Sequence, residues 1–484
     1  MTARVEIPME QADLSPKVSH AFLLTSAPLA RGLARLLFVL VVARQLGPER
    51  FGVYALLLAV IEMVAVASGS GYADYLTREA AKDARIGWGL GSQLVWLRLA
   101  CVVSVCAAGL AVLWVLAYPR TMLVAAAWLS LSLVPRSLSE AVQGVLRGVG
   151  RYAAYLAVEL AFDTALAAGA VLLLVKGGGL NVVIAAEVLA ATTAAVASGV
   201  FALMYRTSER IRLGLKDLFK KSAVFNLYTF VGNLYDRLDI LLLSKLAGNY
   251  ATGVYSAAYR PFGSIQLLPY GVLYSILPAL SRGAHAERER LEKAMGILLS
   301  AAFVVVLITT VYAGPAVSLL LGARYAESAL ALKIIIWAVI LRFVNFALNI
   351  RLLAGGHERV FVTTSLVCLG VNLAGNLIFV PMYSWRAAAA VTIVTEAVLL
   401  AQNAFWLRRL VGAVPTPFGW KASSLVFAVL VGAALLGTRT ASPMLIGTVC
   451  ILLFLVYLYR AGMVGEFAMV WGAERSVILR ESNS

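Results

Sequence analysis

The chain has 484 residues, of which 61% are hydrophobic and 14% charged, with a formal net charge of +16. Soluble domains carry about 25% charged residues, and a water-soluble fold of this size would have to hide more apolar surface than it has interior. Composition therefore excludes a soluble enzyme. The positive charge, gathered in one set of short loops, reads as topology rather than as a nucleic-acid footprint, so no nucleic-acid partner is expected.

Residues 1–18 form a polar tail whose Glu6, Glu10 and Asp13 argue against a cleaved signal peptide. A spanning helix needs about 20 mostly apolar residues, and fourteen runs qualify. Six, near 20–44, 51–74, 88–117, 121–145, 152–175 and 180–205, predict a six-helix bundle over 19–206. A basic linker follows over 207–221. Six more runs, near 222–246, 250–278, 294–321, 326–353, 360–381 and 386–407, predict a second bundle over 222–411. Two further helices, near 418–437 and 443–460, occupy 412–461, and residues 462–484 form a second tail. Runs eleven and twelve are divided only by Pro381 and its neighbours, which makes them the weakest pair. With both ends on one side, that side collects 24 basic loop residues against eight on the other. This bias predicts cytoplasmic termini.

The two bundles share a repeated passage. Gly47, Gly52, Val53 and Tyr54 return, 201 residues later, as Gly248, Gly253, Val254 and Tyr255. Each copy joins two apolar runs. Gly148 and Gly355, then Glu187 and Glu396, extend the match with little drift. A duplication of six spans preserves orientation, so the pseudo-twofold axis runs along the membrane normal and a substrate site is expected between the halves.

Nine basic residues fall inside the predicted spans. A central arginine facing lipid costs about 2.5–3.5 kcal/mol on insertion scales, so most must line water, pair with acids or reach the interface. Arg31 and Arg35 share one face of the first span. They are either an interfacial anchor or a cationic wall of an aqueous cavity. The seventh span carries Asn233, Asp236, Arg237 and Asp239 in an apolar helix. Arg237 could neutralise one of those aspartates and still yield to a competing anion. Arg260 opens a segment with Pro261, Pro269 and Pro278, whose bends a cavity can tolerate. Arg342, in the tenth span, completes the candidate cationic set. Glu62, Glu159, Asp163, Asp236 and Asp239 are candidate ion-coupling acids, because a carboxylate at low dielectric can exchange protons near neutral pH. Glu159 and Asp163, one turn apart, are equally partners for the arginines. No nucleotide-binding, hydrolase or zinc motif occurs, and the chain calls for no cofactor, metal or catalytic residue.

The run from Arg44 to Tyr54 resembles the signature of polysaccharide-transport flippases, as do Leu238–Ser244 and Thr252–Arg260. These proteins form the O-antigen (Wzx-type) branch of the multidrug/oligosaccharidyl-lipid/polysaccharide (MOP) superfamily. The resemblance covers residues 18–460. It implies an all-α membrane protein of about fourteen spans, two six-helix bundles in a V around a central cationic cavity, and two extra helices. It further implies movement of undecaprenyl-diphosphate-linked oligosaccharide from the cytoplasmic to the periplasmic leaflet of the bacterial inner membrane. The lipid-linked oligosaccharide and membrane lipid would be its partners, with a polysaccharide polymerase and chain-length regulator beside them. In related lipid II flippases, cavity arginines on the first, second and eighth spans hold the diphosphate. Here Arg31, Arg35 and Arg260 occupy comparable positions, but the second span offers Glu62. Residues 384–390, Ser-Trp-Arg-Ala-Ala-Ala-Ala, depart from the family's glycine-richer pattern at that turn. A cation-coupled exporter of drugs or small metabolites is the alternative, and its cavity should favour acids and aromatics over arginine. A membrane glycosyltransferase would need an acidic catalytic loop, and none is present.

Overall fold

A computed structural model describes residues 18–69, 71–205, 215–265, 268–269, 285–437 and 442–463. The amino-terminal tail, most of the basic linker, Pro278, the side chain of Arg31 and nearly all of the carboxy-terminal tail lie outside the described residues. The chain is an all-α membrane protein with no strand among the described residues. Ten described helices are long and apolar enough to cross a bilayer, and a bent pair makes eleven. Leu215–Leu246, the helix that carries Asp236, Arg237 and Asp239, is not among the ten.

The repeated passage explains how consecutive spans join. Spans one and two form one element, Val18–Ala67, broken at Gly47, where φ is 72°. That left-handed conformation suits glycine. Pro48 then starts the next helix with its fixed φ and no need for an N–H partner. In the second copy Gly248, at φ 83°, separates Leu215–Leu246 from Gly248–Ile265.

Two expected spans carry an internal break, and they are repeat counterparts; the first, Arg120–Gly148, still counts as one of the ten. The fourth divides into Arg120–Ser130 and Leu133–Gly148, the tenth into Ala326–Ile335 and Ala338–Ala354, the latter pair bent by 45°. Pro135 accounts for the first break, since the second helix begins just ahead of it and so keeps the proline in the first turn. The doubtful eleventh and twelfth runs separate cleanly into Glu358–Tyr383 and Trp385–Val411. Pro381 lies inside the first, and the break is Ser384, at φ 56° and ψ −139°. A serine thus adopts backbone angles that glycine tolerates far better.

The halves meet glycine to backbone. A Cβ on Gly52 would run into the carbonyl of Asn249, and a Cβ on Gly253 into the carbonyl of Pro48. Pro48 and Asn249 are themselves equivalent, so the contact is reciprocal. Phe51, Tyr54, Val254 and Tyr255 are fully buried around it. Further bonds reinforce this end of the molecule. The Tyr325 hydroxyl donates to the Ala43 carbonyl (2.7 Å) and Arg44 to the Leu319 carbonyl (2.9 Å). The two last helices, Trp420–Gly437 and Pro443–Arg460, pack on His285–Leu321, with Phe427 stacked on Phe303 at 4.2 Å. The outer surface is apolar, with Trp96, Leu319 and Tyr459 each more than 70% exposed, as lipid contact requires.

Candidate substrate and ion sites

The intramembrane charges fall into three groups. The first lies between the halves. Arg237 Nη2 is 2.6 Å from Glu62 Oε2, which joins the seventh span to the second. This corrects the expectation that Arg237 pairs with a neighbouring aspartate. Residues one and two apart on a helix do not face each other, so Arg237 and its adjacent acids point to different partners. Arg260 lies within electrostatic reach of Arg237, Glu62, Tyr54 and Glu187. It is half-buried, and its guanidinium makes no ion pair or hydrogen bond among the described residues. Asn233, one turn before Arg237, has a buried Oδ1 without a partner. The Tyr54 hydroxyl donates to Glu187 Oε1 at 2.7 Å.

The second group lies within the first half. Arg35 is half-exposed, 3.4 Å from Asp163 and above the Phe162 ring at 5.2 Å. Asp163 is thus an arginine partner. Glu159, one turn away, is buried at 9% exposure. Glu140 holds two arginines at once, Arg98 at 2.5 Å and Arg136 at 2.8 Å.

The third group lies within the second half and inverts that ratio. Arg342 serves two carboxylates, Asp236 at 2.8 Å and Glu396 at 3.2 Å. Asn345 donates to Glu396 at 3.0 Å. Beside them Asp239, 5% exposed, accepts from the Tyr255 hydroxyl (2.7 Å), Asn376 (3.0 Å) and the Thr392 hydroxyl (3.2 Å). Tyr235, Asp236, Asp239, Tyr259, Arg342, Asn372 and Thr392 line a cavity of about 10 Å³, room for roughly one water molecule. Asn376, which donates to Asp239, has a buried Oδ1 without a partner among the described residues. Two carboxylates and one guanidinium line this pocket, and the guanidinium is shared with a third carboxylate, Glu396, outside the lining. Burying charge at low dielectric is costly without compensation, so the site suits a cation or proton. Asn372, Asn376 and Thr392 were not anticipated from the sequence. Their signal was faint: two asparagines four apart in an otherwise apolar run.

Comparison with known proteins agrees with this fold. The structure is similar to that of the lipid II flippase MurJ in an inward closed conformation, with a TM-score of 0.65 at 13% identity over 91% of this chain and 99% of that one. It is also similar to an inward-facing multidrug resistance MATE family transporter of the MOP superfamily, with a TM-score of 0.63 at 14% identity over 79% and 95%. An outward-facing MATE family transporter gives 0.55 at 16% identity over 81% and 96%. No curated protein matches the sequence. A family model described as polysaccharide biosynthesis protein matches residues 18–284, more than half the chain, and the protein belongs to that family.

Proposed function

We propose that the protein is a flippase that carries undecaprenyl-diphosphate-linked oligosaccharide, the repeat unit of an O-antigen, capsule or exopolysaccharide, from the cytoplasmic to the periplasmic leaflet of the bacterial inner membrane. The observation that carries this reading is the seam between the halves. Among the described residues the Arg260 guanidinium makes no ion pair there, and Arg237 is paired with Glu62. A diphosphate–sugar headgroup cannot cross hydrocarbon without replacing its water. Guanidinium groups replace that water with short, often bidentate contacts to phosphate oxygens. The diphosphate would take Arg260 directly and compete with Glu62 for Arg237. Asn233, Arg31 and Arg35 would extend this surface, while the polyprenyl chain stays in lipid.

Both termini would be cytoplasmic, as the loop charges suggest. The sealed end, where Gly52 and Gly253 meet, is then periplasmic, and the seam is reached from the cytoplasm. Rocking the halves about that contact would expose the site outward. The carboxylate-rich pocket around Asp239 and Asp236 would take a cation or proton as a co-transported substrate and bias the cycle. A polysaccharide polymerase and chain-length regulator would receive the product. The same pocket, with the likeness to MATE transporters, favours a second reading as a cation-coupled exporter of small molecules.

The test is complementation of surface-polysaccharide export in a strain lacking the gene. Arg260→Ala should abolish export at unchanged membrane protein level, and Arg260→Lys should restore part of it. Normal export by an Arg260→Ala, Arg237→Ala double variant overturns the flippase reading. Extrusion of small cationic compounds by the intact protein would establish the exporter instead.

A further inference from the structure

A second cavity, of about 360 Å³, opens at the sealed end on the flank of the second half. That size is within the range of small-ligand sites. It forms where three helix ends meet: the start of Gly248–Ile265, the start of Ala326–Ile335 and the turn between Glu358–Tyr383 and Trp385–Val411. Helix ends of a spanning bundle sit at headgroup depth, where tyrosine and tryptophan gather.

The charges in this cleft are arranged unusually. Glu327 accepts from the Trp385 indole N–H at 2.8 Å and from the Tyr250 hydroxyl at 3.3 Å. Arg386 lies over the face of the same indole, 5.2 Å from its centre. Neither charge pairs with the other, nor with any other described residue, and both are exposed. A carboxylate and a guanidinium are thus held apart across one buried ring, Trp385, which is only 4% exposed. Ser384 enforces this layout, because its left-handed φ turns Tyr383 outward while Trp385 turns in. Backbone strain of this kind, about 1–3 kcal/mol, persists where the surroundings impose it and often where a site needs it. Below the cleft, Ile378, Phe379 and Met382 present an apolar flank at 59%, 47% and 68% exposure.

We propose that this cleft binds a zwitterionic phospholipid headgroup carrying a primary ammonium, as in phosphatidylethanolamine. The ammonium donates to Glu327, which has two lone-pair positions left after Trp385 and Tyr250. The phosphodiester accepts from Arg386, and the acyl chains lie along the apolar flank. An anionic headgroup would meet Glu327 unfavourably, and a quaternary choline has no N–H to donate.

The experiment is native mass spectrometry of the full-length protein from detergent micelles doped with equal amounts of phosphatidylethanolamine, phosphatidylglycerol and phosphatidylcholine of matched chains. The wild type should retain one phosphatidylethanolamine in preference to the other two. Glu327→Gln, whose amide oxygen can still accept from Trp385, and Arg386→Gln should each lower that retention about tenfold, the loss of one charge-assisted hydrogen bond. Equal retention of all three lipids, preference for the anionic lipid, or wild-type selectivity in both variants each overturns the proposal. The measurement is independent of transport, so its outcome and that of the flippase test are separable.

Discussion

The two halves share one sequence pattern, yet their charges differ at matching positions. At the repeat's spacing of 201 residues, Asp236 stands where the first half has Arg35, and Asp239 where it has Phe38. Arg35 finds an aspartate, Asp163, whereas Asp236 finds an arginine, Arg342. The equivalent tyrosines also diverge. Tyr54 donates to Glu187, but Tyr255 donates to Asp239, while Glu396, the counterpart of Glu187, is taken by Arg342 and Asn345. The backbone frame is shared, and the electrostatics differ. One half holds a carboxylate-rich pocket, and the seam between the halves holds a guanidinium with no ion pair among the described residues.

That asymmetry can be attacked at its centre. Arg342→Ala removes the only cation that, among the described residues, is bound to Asp236 and Glu396. The expected loss is about 3–5 kcal/mol, because truncating one member of a buried pair leaves uncompensated charge. Thermal unfolding of the purified protein should show it, and Arg342→Lys should recover part. An unchanged melting temperature would mean the pocket is stable without its cation. Next in size is the seal. Gly52→Ala or Gly253→Ala must displace backbone, at about 1–3 kcal/mol for added bulk in a filled site. Either should shift the resting protein away from the closed arrangement, read as increased labelling of a cysteine placed at Asn249. Unaltered labelling in both would show that the contact does not hold that end shut.

Asp239→Asn sharpens the functional side of the comparison. The amide keeps most of the local hydrogen bonds, so protein level should hold. Any sodium or proton dependence of export should disappear, a loss of at least about tenfold for about 1.4 kcal/mol of binding. Retained cation dependence would move the coupling site elsewhere. The smallest expected effect is stabilising. Ser384→Gly relieves a left-handed serine and should raise stability by about 1 kcal/mol, the strain recovered less glycine's entropy. A lower melting temperature would mean that Ser384 is not strained.

Much of this was legible in the chain itself. Hydropathy placed the apolar runs, and Gly47 and Gly248 marked the turns because no other residue adopts their backbone cheaply. That Asp236, Arg237 and Asp239 would need partners inside the fold followed from the cost of charge in hydrocarbon. Partner choice was less accessible. Arg237 reaches Glu62 across 175 residues and the midline of the fold, and only three-dimensional packing decides that contact. Arg342 bridging Asp236 and Glu396 has the same origin. The interrupted fourth and tenth spans escaped notice because hydropathy is blind to a two-residue step inside an apolar run. Asn372, Asn376 and Thr392 escaped because a lone polar residue in a helix can as readily bond its own backbone.

The reciprocal glycines have an evolutionary corollary. At most crowded sites an added methyl can be accommodated by trimming the neighbour, so lineages drift through paired substitutions. Here each glycine abuts a main-chain carbonyl, which no codon change can shorten. Pro48 and Asn249 were free to part ways because only their peptide oxygens are touched. Gly52 and Gly253 had no such freedom, and each copy of the ancestral hairpin therefore polices the other.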